Sequence, residues 1–331
     1  MPEITRSPLT TKRWYSEVCE FYDIPHNLAR TAGIEAKYYI KFPAIQKRRL
    51  QAIKRIRFQY RGSLLHFGNL QTDEAKSRSW QNHFMCCIWS EKTNRQRIDF
   101  HEKVMQCIKE MKELRVTALS DSQELRVLDF GCGTTLFGRL VAERYPDIEL
   151  MLCDINGFHF RFAAHRTRVF LGNVRLFPID DPYDNCKNFG PLDLIYCYTV
   201  FEHLPNTGKV IKHFVRCLKP GGVLIETYTG HSKRTPHKSD TWSSYLERDI
   251  NLDYLKKNLH LLYGVFPNKG SDGSYEEGGS TRFWIKKPFD QNLAKELQRI
   301  LASDLNISVR TKIKSFLDDM KDMVYAYSHL F

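Results

Sequence analysis

Short apolar runs alternate with stretches of helical periodicity through the middle of the chain. The runs predict strands near 125–130, 148–154, 173–177, 192–198 and 222–228, and the stretches between them predict helices near 136–145, 157–168 and 207–218. Strands separated by helices imply a parallel sheet with helices on both faces. Two later runs, Leu259 to Phe266 and Thr281 to Lys287, predict a final pair of strands. The pattern therefore predicts an α/β fold.

The two ends of the chain have a different pattern from the middle. Helical periodicity predicts helices over 11–22, 27–39 and 44–59, and over 73 to about 113 with a break. The pattern of residues 289–325 predicts one or two further helices. We expect three parts: a basic, mainly helical N-terminal region over 1–119, an α/β core over 120–288 and C-terminal helices over 289–331.

Composition excludes several classes of protein. The 331 residues are 42% hydrophobic, enough for a core of about 200 residues with an appendage. No apolar run approaches the roughly 18 residues that a membrane span needs, and the first residues lack the apolar centre of a secretory signal. The nine cysteines include no C-x-x-C pair and no metal-ligand spacing, so free thiols in a reducing cytosol explain them best. We expect a cytoplasmic protein, with no prediction of its oligomeric state.

Positive charge is concentrated near the N-terminus. The net charge is +12, and residues 1–115 hold 22 basic and 12 acidic residues. The densest part, Lys41 to Arg61, contains eight basic residues and no acid, with apolar residues at roughly helical spacing. Two interpretations stay open: a solvated helix face on a basic protein, or a docking surface for an anionic partner such as nucleic acid.

The most informative run is VLDFGCGTTLFG, Val127 to Gly138. An apolar strand carries Asp129 near its end, Gly131 and Gly133 follow, and then a helix begins. Glycines at such a turn let the backbone turn tightly and let a ligand approach it closely. About twenty residues on, a second apolar run ends in Asp154, a spacing typical of an acid that binds ribose hydroxyls.

The turn departs from two common nucleotide-binding patterns. A dinucleotide fingerprint needs a third glycine where Leu136 stands, and a phosphate loop needs a lysine that is absent. The run instead resembles the first motif of class I S-adenosylmethionine-dependent methyltransferases. Leu192 to Pro205 is similar to the family's fourth strand and following turn, and Leu218 to Thr227 to its fifth strand with a preceding Pro-Gly-Gly turn.

This resemblance covers roughly residues 124–230 and implies a fold. The family has a Rossmann-like, seven-stranded, mostly parallel sheet with helices on both faces, closed by an antiparallel hairpin that the last two apolar runs would form. It also implies S-adenosyl-L-methionine as cofactor. An ordinary nucleotide-binding domain with chance glycines is the alternative.

The resemblance also assigns cofactor-binding residues. Gly131 and Gly133 would bring backbone close to the methionine part of the cofactor, and Asp129 would help to hold its ammonium group. Asp154 would bind the ribose hydroxyls, with an N-cap of the next helix as its alternative role. Ile155 would lie against the adenine ring.

Further candidate residues follow the third and fourth strands. Asp180 lies where the family commonly binds the adenine amino group, with a turn acid as the alternative. Tyr198 should border both cofactor and substrate. His203 is the natural candidate for a catalytic general base because its ordinary pKa lies near neutrality, but a structural role is the alternative.

The same segment bears on metal binding. Some relatives carry an E-x-x-E-H pattern here that helps to bind a divalent cation. This chain has Thr199 in place of the first acid, followed by Glu202 and His203. Since a hard cation needs carboxylate ligands, we predict no metal site.

The substrate is less constrained by the sequence. His231, Lys233, Arg234 and His237 follow the fifth strand and form a cationic entrance, which favours an anionic substrate. We predict methyl transfer to oxygen or nitrogen of a small molecule, with an anionic specialised metabolite favoured. The alternatives are a methyltransferase acting on RNA or protein, docked through the basic N-terminal region, and a non-catalytic protein that retains a cofactor pocket.

Overall fold

A computed structural model describes residues 17, 19–21, 95–118, 124–170, 173–181, 183–228, 241–266 and 281–303. The chain divides into two compact units, one over Glu102–Ser303 and one formed by Met1–His101 with Asp304–Phe331. In the second unit, residues 17 and 19–21 are helical. The predicted helices between residues 27 and 59, including the basic segment, lie outside the described residues. The three-part division of the chain stays a prediction.

Six helices and seven strands are described between Arg95 and Ala302. In chain order they are α1 (Arg95–Ala118), β1 (Arg126–Phe130), α2 (Leu136–Arg144), β2 (Glu149–Ile155), α3 (Phe158–Thr167), β3 (Val174–Ile179), β4 (Leu192–Cys197), α4 (Thr207–Cys217), β5 (Leu218–Glu226), α5 (Trp242–Asn258), β6 (Leu259–Tyr263), β7 (Arg282–Lys286) and α6 (Gln291–Ala302). Short 3₁₀ turns span Arg168–Phe170 and Phe201–His203. None of these described helices combines the length and apolar character that a membrane span requires.

The strands form one seven-stranded sheet in the order β3-β2-β1-β4-β5-β7-β6. Strands β1 to β5 are parallel, whereas β7 is antiparallel to both β5 and β6. The predicted Rossmann-like, mostly parallel sheet is therefore confirmed, including its final antiparallel pair.

Two details differ from the predicted elements. The Pro-Gly-Gly segment, expected as a turn before the fifth strand, lies inside β5, because Leu218 already pairs with Leu192 and a register irregularity follows between Leu192 and Leu194. Helix α5 was not predicted, since its exposed Leu246 and Ile250 obscure the apolar periodicity. The side chain of Thr241 caps α5 by accepting a hydrogen bond from the Ser244 amide at 3.3 Å.

The central strands are buried on both faces. All six residues of β4 are buried, which is expected of a parallel strand covered by helices on each side. On the face covered by α4 and α5, Phe130 meets Phe214 edge to face with ring centroids 4.9 Å apart. The sheet is thus fixed at its centre, and its strand ends are held in a defined arrangement.

A buried ion pair joins β5 to β7. Glu226 accepts hydrogen bonds from Arg282 Nε at 2.6 Å and Nη2 at 3.0 Å, and from Trp284 Nε1 at 2.9 Å. Glu226 and Arg282 are both 0% exposed. Strand register places them directly opposite each other. Because every bond to Glu226 is made in a dry interior, each partner depends on the other.

We predict that Arg282→Met lowers the free energy of unfolding by about 3–5 kcal/mol, because it leaves the Glu226 carboxylate buried without its cation. Urea denaturation measures this change. Arg299→Met is the matched control, since Arg299 pairs with Glu296 on the exposed side of α6 and its loss should change stability little. Equal effects of the two substitutions would contradict the assigned role of the buried pair.

Candidate functional site

The carboxyl ends of β1, β2 and β4 meet where the strand order reverses. From β1 the chain proceeds outward to β2 and β3 on one side and then returns to β4 on the other. Connections leave the sheet in opposite directions at such a point, which opens a crevice where open α/β sheets bind ligands. Most candidate residues predicted from the sequence lie at this edge.

A tightly bent backbone follows β1. Gly131, Gly133 and Thr135 have φ angles of +70°, +54° and +53°, all in the left-handed region. The amide of Gly131 donates to the carbonyl of Cys153 in β2 at 2.7 Å. The conformation explains the need for the two glycines, whereas Thr135 adopts it at a cost of roughly 1–2 kcal/mol.

Two carboxylates hold this glycine turn. Asp154 Oδ2 accepts a hydrogen bond from the Gly133 amide at 2.6 Å. Asp129, 2% exposed, accepts from the Gly138 amide at 3.2 Å and from Thr135 Oγ1 at 3.3 Å through Oδ2. Each acid therefore fixes backbone that surrounds the candidate ligand site, a function that the sequence analysis did not assign.

The space around each glycine differs. A Cβ on Gly131 would lie 2.2 Å from Val200 Cγ2, whereas a Cβ on Gly133 would meet nothing within 4 Å. A Cβ on Gly138 would lie 2.3 Å from Thr135 Oγ1 and 2.6 Å from Leu152 Cδ2. The glycine that lets α2 pack closely on the sheet is therefore Gly138, which the comparison with the dinucleotide fingerprint overlooked.

Negative charge surrounds the same edge. Burial raises the pKa of the Cys197 thiol well above its usual value, and the charges of Glu202, Glu226 and Asp129 raise it further. Of these acids, Glu226 is neutralised by Arg282. Open backbone over Gly133 leaves room for a ligand at this edge.

A family model described as a methyltransferase domain matches residues 128–224. This interval contains the glycine turn, Asp154 and the segment after β4. These parts lie on the seven-stranded sheet whose strand order is given above. Together with that sheet order, the match identifies residues 128–224 as a class I methyltransferase domain of the S-adenosylmethionine-dependent type.

Individual relatives are distant. Malonyl-[acyl-carrier protein] O-methyltransferase 2 of Ilyobacter polytropus is 26% identical over 155 residues, which cover 44% of this chain and 58% of that protein. A probable S-adenosylmethionine-dependent methyltransferase of Mycolicibacterium smegmatis is 22% identical over 213 residues, covering 60% and 79%. The solved DszA carbon methyltransferase is 13% identical, with a TM-score of 0.46 over 77% of this chain and 71% of that one. The chain thus spans little more than half of the first relative's length.

The two residues predicted to contact adenine lie on adjacent strand ends. Ile155 is 41% exposed at the end of β2. Asp180, exposed after β3, accepts from Asn156 Nδ2 at 2.8 Å. Asp181 instead accepts from the Tyr183 amide at 2.9 Å. Asp180 is therefore linked to the residue after Ile155, whereas Asp181 stabilises the turn after β3.

Aromatic rings connect α2 to the end of β4. Phe137 stacks on Tyr196 with centroids 4.1 Å apart, and Tyr196 lies parallel to Tyr198 at 5.9 Å. Tyr196 is buried and Tyr198 is half-buried. The column therefore runs from α2 to the Tyr198 ring, just after the carboxyl end of β4.

The residues after Tyr198 form a turn docked on β5. Thr199, at φ +55°, donates its amide to Thr227 Oγ1 at 2.6 Å, and its hydroxyl donates to the Tyr198 carbonyl at 2.7 Å. His203 is exposed whereas Glu202 is 4% exposed. No set of three or more potential metal ligands occurs among the described residues. The cationic entrance residues 231–237 lie outside the described part of the chain.

Three buried thiols lie at the carboxyl ends of β1, β2 and β4. Cys132 follows β1, Cys153 lies in β2 and Cys197 ends β4, and all three are free and buried. Burial is the largest cause that raises the pKa of each. They are therefore protonated and unreactive at neutral pH.

We predict that Gly131→Ala weakens cofactor binding at least about tenfold, because the new Cβ must displace Val200 and the backbone φ becomes strained. Titration calorimetry with S-adenosylmethionine measures the affinity. Val200→Ala removes both γ carbons that the new Cβ would meet, so the double variant should recover part of the loss. Unchanged affinity in Gly131→Ala would contradict this role of the turn.

The titration of Asp154 carries a second prediction. Burial raises its pKa to about 6, although hydrogen bonds from the Gly133 and Ile155 amides oppose the shift. The folded chain thus holds this proton more tightly than the unfolded chain. Its stabilising contribution is complete below about 4 and is lost as pH rises through about 6. At neutral pH the ionised carboxylate therefore disfavours the ligand-free fold, and hydroxyl donors from a ligand would compensate.

We predict that cofactor affinity at pH 5 is about tenfold lower than at pH 7, because a protonated Asp154 cannot accept two hydroxyl hydrogen bonds. Asp154→Asn should bind weakly but with little pH dependence. Nearby His159 stays neutral over most of this range, since burial lowers its pKa to about 4. The same pH dependence in both proteins would show that another group is responsible.

Proposed function

We propose that this chain binds S-adenosyl-L-methionine and transfers its methyl group to an oxygen or nitrogen atom of a small molecule. The observation that carries the proposal is the glycine turn, which Asp129 and Asp154 hold by hydrogen bonds. The turn lies where the strand order of the sheet reverses. The sulfonium cofactor supplies an electrophilic methyl group, so the chain's own residues need only bind, orient and remove a proton.

The described residues fit this cofactor. The open backbone at Gly133 would accept the amino-acid part of the cofactor. Asp129 would stabilise the turn through its hydrogen bonds and would also attract the ammonium group of the cofactor. Asp154 would take the ribose hydroxyls with the carboxylate already oriented by the Gly133 and Ile155 amides. The acids around Cys197 favour a cationic ligand at this edge.

The adenine ring would lie at the ends of β2 and β3. Exposed Ile155 offers an apolar surface, and Asp180 offers an acceptor for the amino group. Tyr198 would then border the methyl group. Its ring lies parallel to that of Tyr196, which in turn stacks on Phe137. An aromatic face suits a positively charged sulfur through cation–π attraction.

We assign His203 as the candidate general base. It is exposed at the end of the short 3₁₀ turn that follows Tyr198 and Thr199, and its imidazole could accept a proton from a hydroxyl or amine at neutral pH. Its neighbour Glu202 is buried, and the Glu202 carbonyl accepts the Thr241 amide at 3.0 Å. This backbone bond ties the turn to the start of α5.

The substrate class rests on indirect support. The Ilyobacter relative is named for methyl transfer to oxygen, and its name places the acceptor on a malonyl group. An oxygen acceptor therefore suits this chain, and an anionic small molecule agrees with the basic residues after the fifth strand. Recognition of RNA or protein would depend on Lys41 to Arg61, which the described structure does not include.

A methyl-transfer screen tests the proposal. We expect wild-type protein to bind S-adenosylmethionine in calorimetry and to transfer labelled methyl groups to members of a library of carboxylate- and hydroxyl-bearing small molecules. Turnover should survive exhaustive chelation, because Thr199 replaces a metal-binding acid. Folded protein without measurable cofactor binding would refute the proposal. Transfer only to added RNA or protein would replace the small-molecule assignment with a macromolecular one.

A further inference from the structure

A buried arginine lies behind the glycine turn. Arg166, in the last turn of α3, is 1% exposed, and its Nη1 donates a hydrogen bond to the carbonyl of Thr134 at 2.9 Å. Thr134 lies between two left-handed residues, Gly133 and Thr135. The guanidinium therefore contacts the backbone of the candidate cofactor turn from inside the protein.

This contact fixes the orientation of one peptide group. The Thr134 carbonyl bonds to Arg166, while the amide of the same peptide group, that of Thr135, donates to the Cys132 carbonyl at 2.7 Å. Because the peptide group is planar and rigid, holding both of its ends defines its plane. The Cys132 carbonyl that accepts the Thr135 amide belongs to the same peptide group as the Gly133 amide, so the restraint is passed on to the bond between Gly133 and Asp154.

Arg166 is itself held by neighbouring residues. Its backbone carbonyl accepts a hydrogen bond from Arg139 Nη1, and Arg139 Nε pairs with Glu143 at 2.8 Å along α2. The ring of Phe162 lies 5.4 Å from the Arg166 guanidinium carbon. A connected path thus runs from Glu143 through two buried arginines to the turn.

Burial of a guanidinium is costly, and an apolar side chain would pack α3 against the sheet without that cost. An aliphatic side chain could not, however, hold the Thr134 carbonyl. The strained φ of Thr135 also shows that this turn depends on its surroundings. The buried charge of Arg166 therefore serves to fix the backbone geometry of the turn.

We propose that Arg166 is a positioning residue that sets cofactor affinity by holding the Thr134 peptide. The inference rests on the proposed binding of S-adenosylmethionine at this turn. Arg166 does not touch the cofactor in this proposal. Its action passes through the carbonyl of Thr134 to the Gly133 amide and the Asp154 carboxylate.

The experiment compares three variants with wild-type full-length protein. Arg166→Gln removes the charge, Arg166→Lys keeps it with a single donor group, and Arg161→Gln is the control on the exposed side of the same helix. Titration calorimetry with S-adenosylmethionine gives the affinity, and thermal unfolding gives the stability of each protein. We expect a loss of about tenfold or more in affinity for Arg166→Gln, a smaller loss for Arg166→Lys and no change for Arg161→Gln.

A merely structural arginine would lower the unfolding temperature without changing the affinity of the folded protein. Wild-type affinity in both Arg166 variants would therefore overturn the inference and leave the proposed function intact. If Arg166→Gln does not fold, Arg166→Lys decides: reduced affinity supports the inference and wild-type affinity overturns it. No binding by wild-type protein would instead overturn the proposed function, and this inference with it.

Discussion

The bond between the Gly133 amide and the Asp154 carboxylate is the interaction on which the candidate site depends. It joins the turn after β1 to the end of β2 at 2.6 Å, and it orients the acid expected to meet a ribose. The Gly131 amide makes a second link, to the Cys153 carbonyl one residue earlier. Parallel pairing of β1 with β2 brings these groups together, so the sheet register and the site are determined by the same contacts.

The interior behind this site is unusually charged for a hydrophobic core. Arg166 and Arg139 lie on the α2 and α3 side, whereas Glu226 and Arg282 lie between β5 and β7. In each place the charge fixes a backbone segment near the carboxyl edge rather than adding apolar contact. Buried ions are weak sources of stability, but the hydrogen bonds they make define local geometry.

The sequence predicted much of the sheet because its strands are long apolar runs with clear boundaries. It predicted the positions of Gly131 and Asp154 because a turn and a strand-end acid are local features. It did not reveal Val200, whose proximity to Gly131 depends on the pairing of β1 with β4. Arg166 was equally hidden, since an arginine near a helix end is ordinarily exposed and only its distance to Thr134 shows otherwise.

The helix α5 illustrates a different limit. Its buried positions, such as Leu252 and Leu255, alternate with the exposed Leu246 and Ile250, so the apolar residues do not define one face. Periodicity fails when some apolar residues of a helix are not directed at the core. The roles of individual site residues are harder to predict. The sequence does not show that His203 is exposed whereas its neighbour Glu202 is buried.

The three thiols beneath the site have a practical consequence. Cys132, Cys153 and Cys197 are sealed within the closed edge and protonated, so alkylating reagents can reach them only when the strand ends separate. Their labelling rate, followed separately from that of the half-buried Cys186 and Cys217, would therefore count opening events at this edge without a fluorophore or an engineered residue. The native chain thus already contains reporters for local opening of the candidate ligand site.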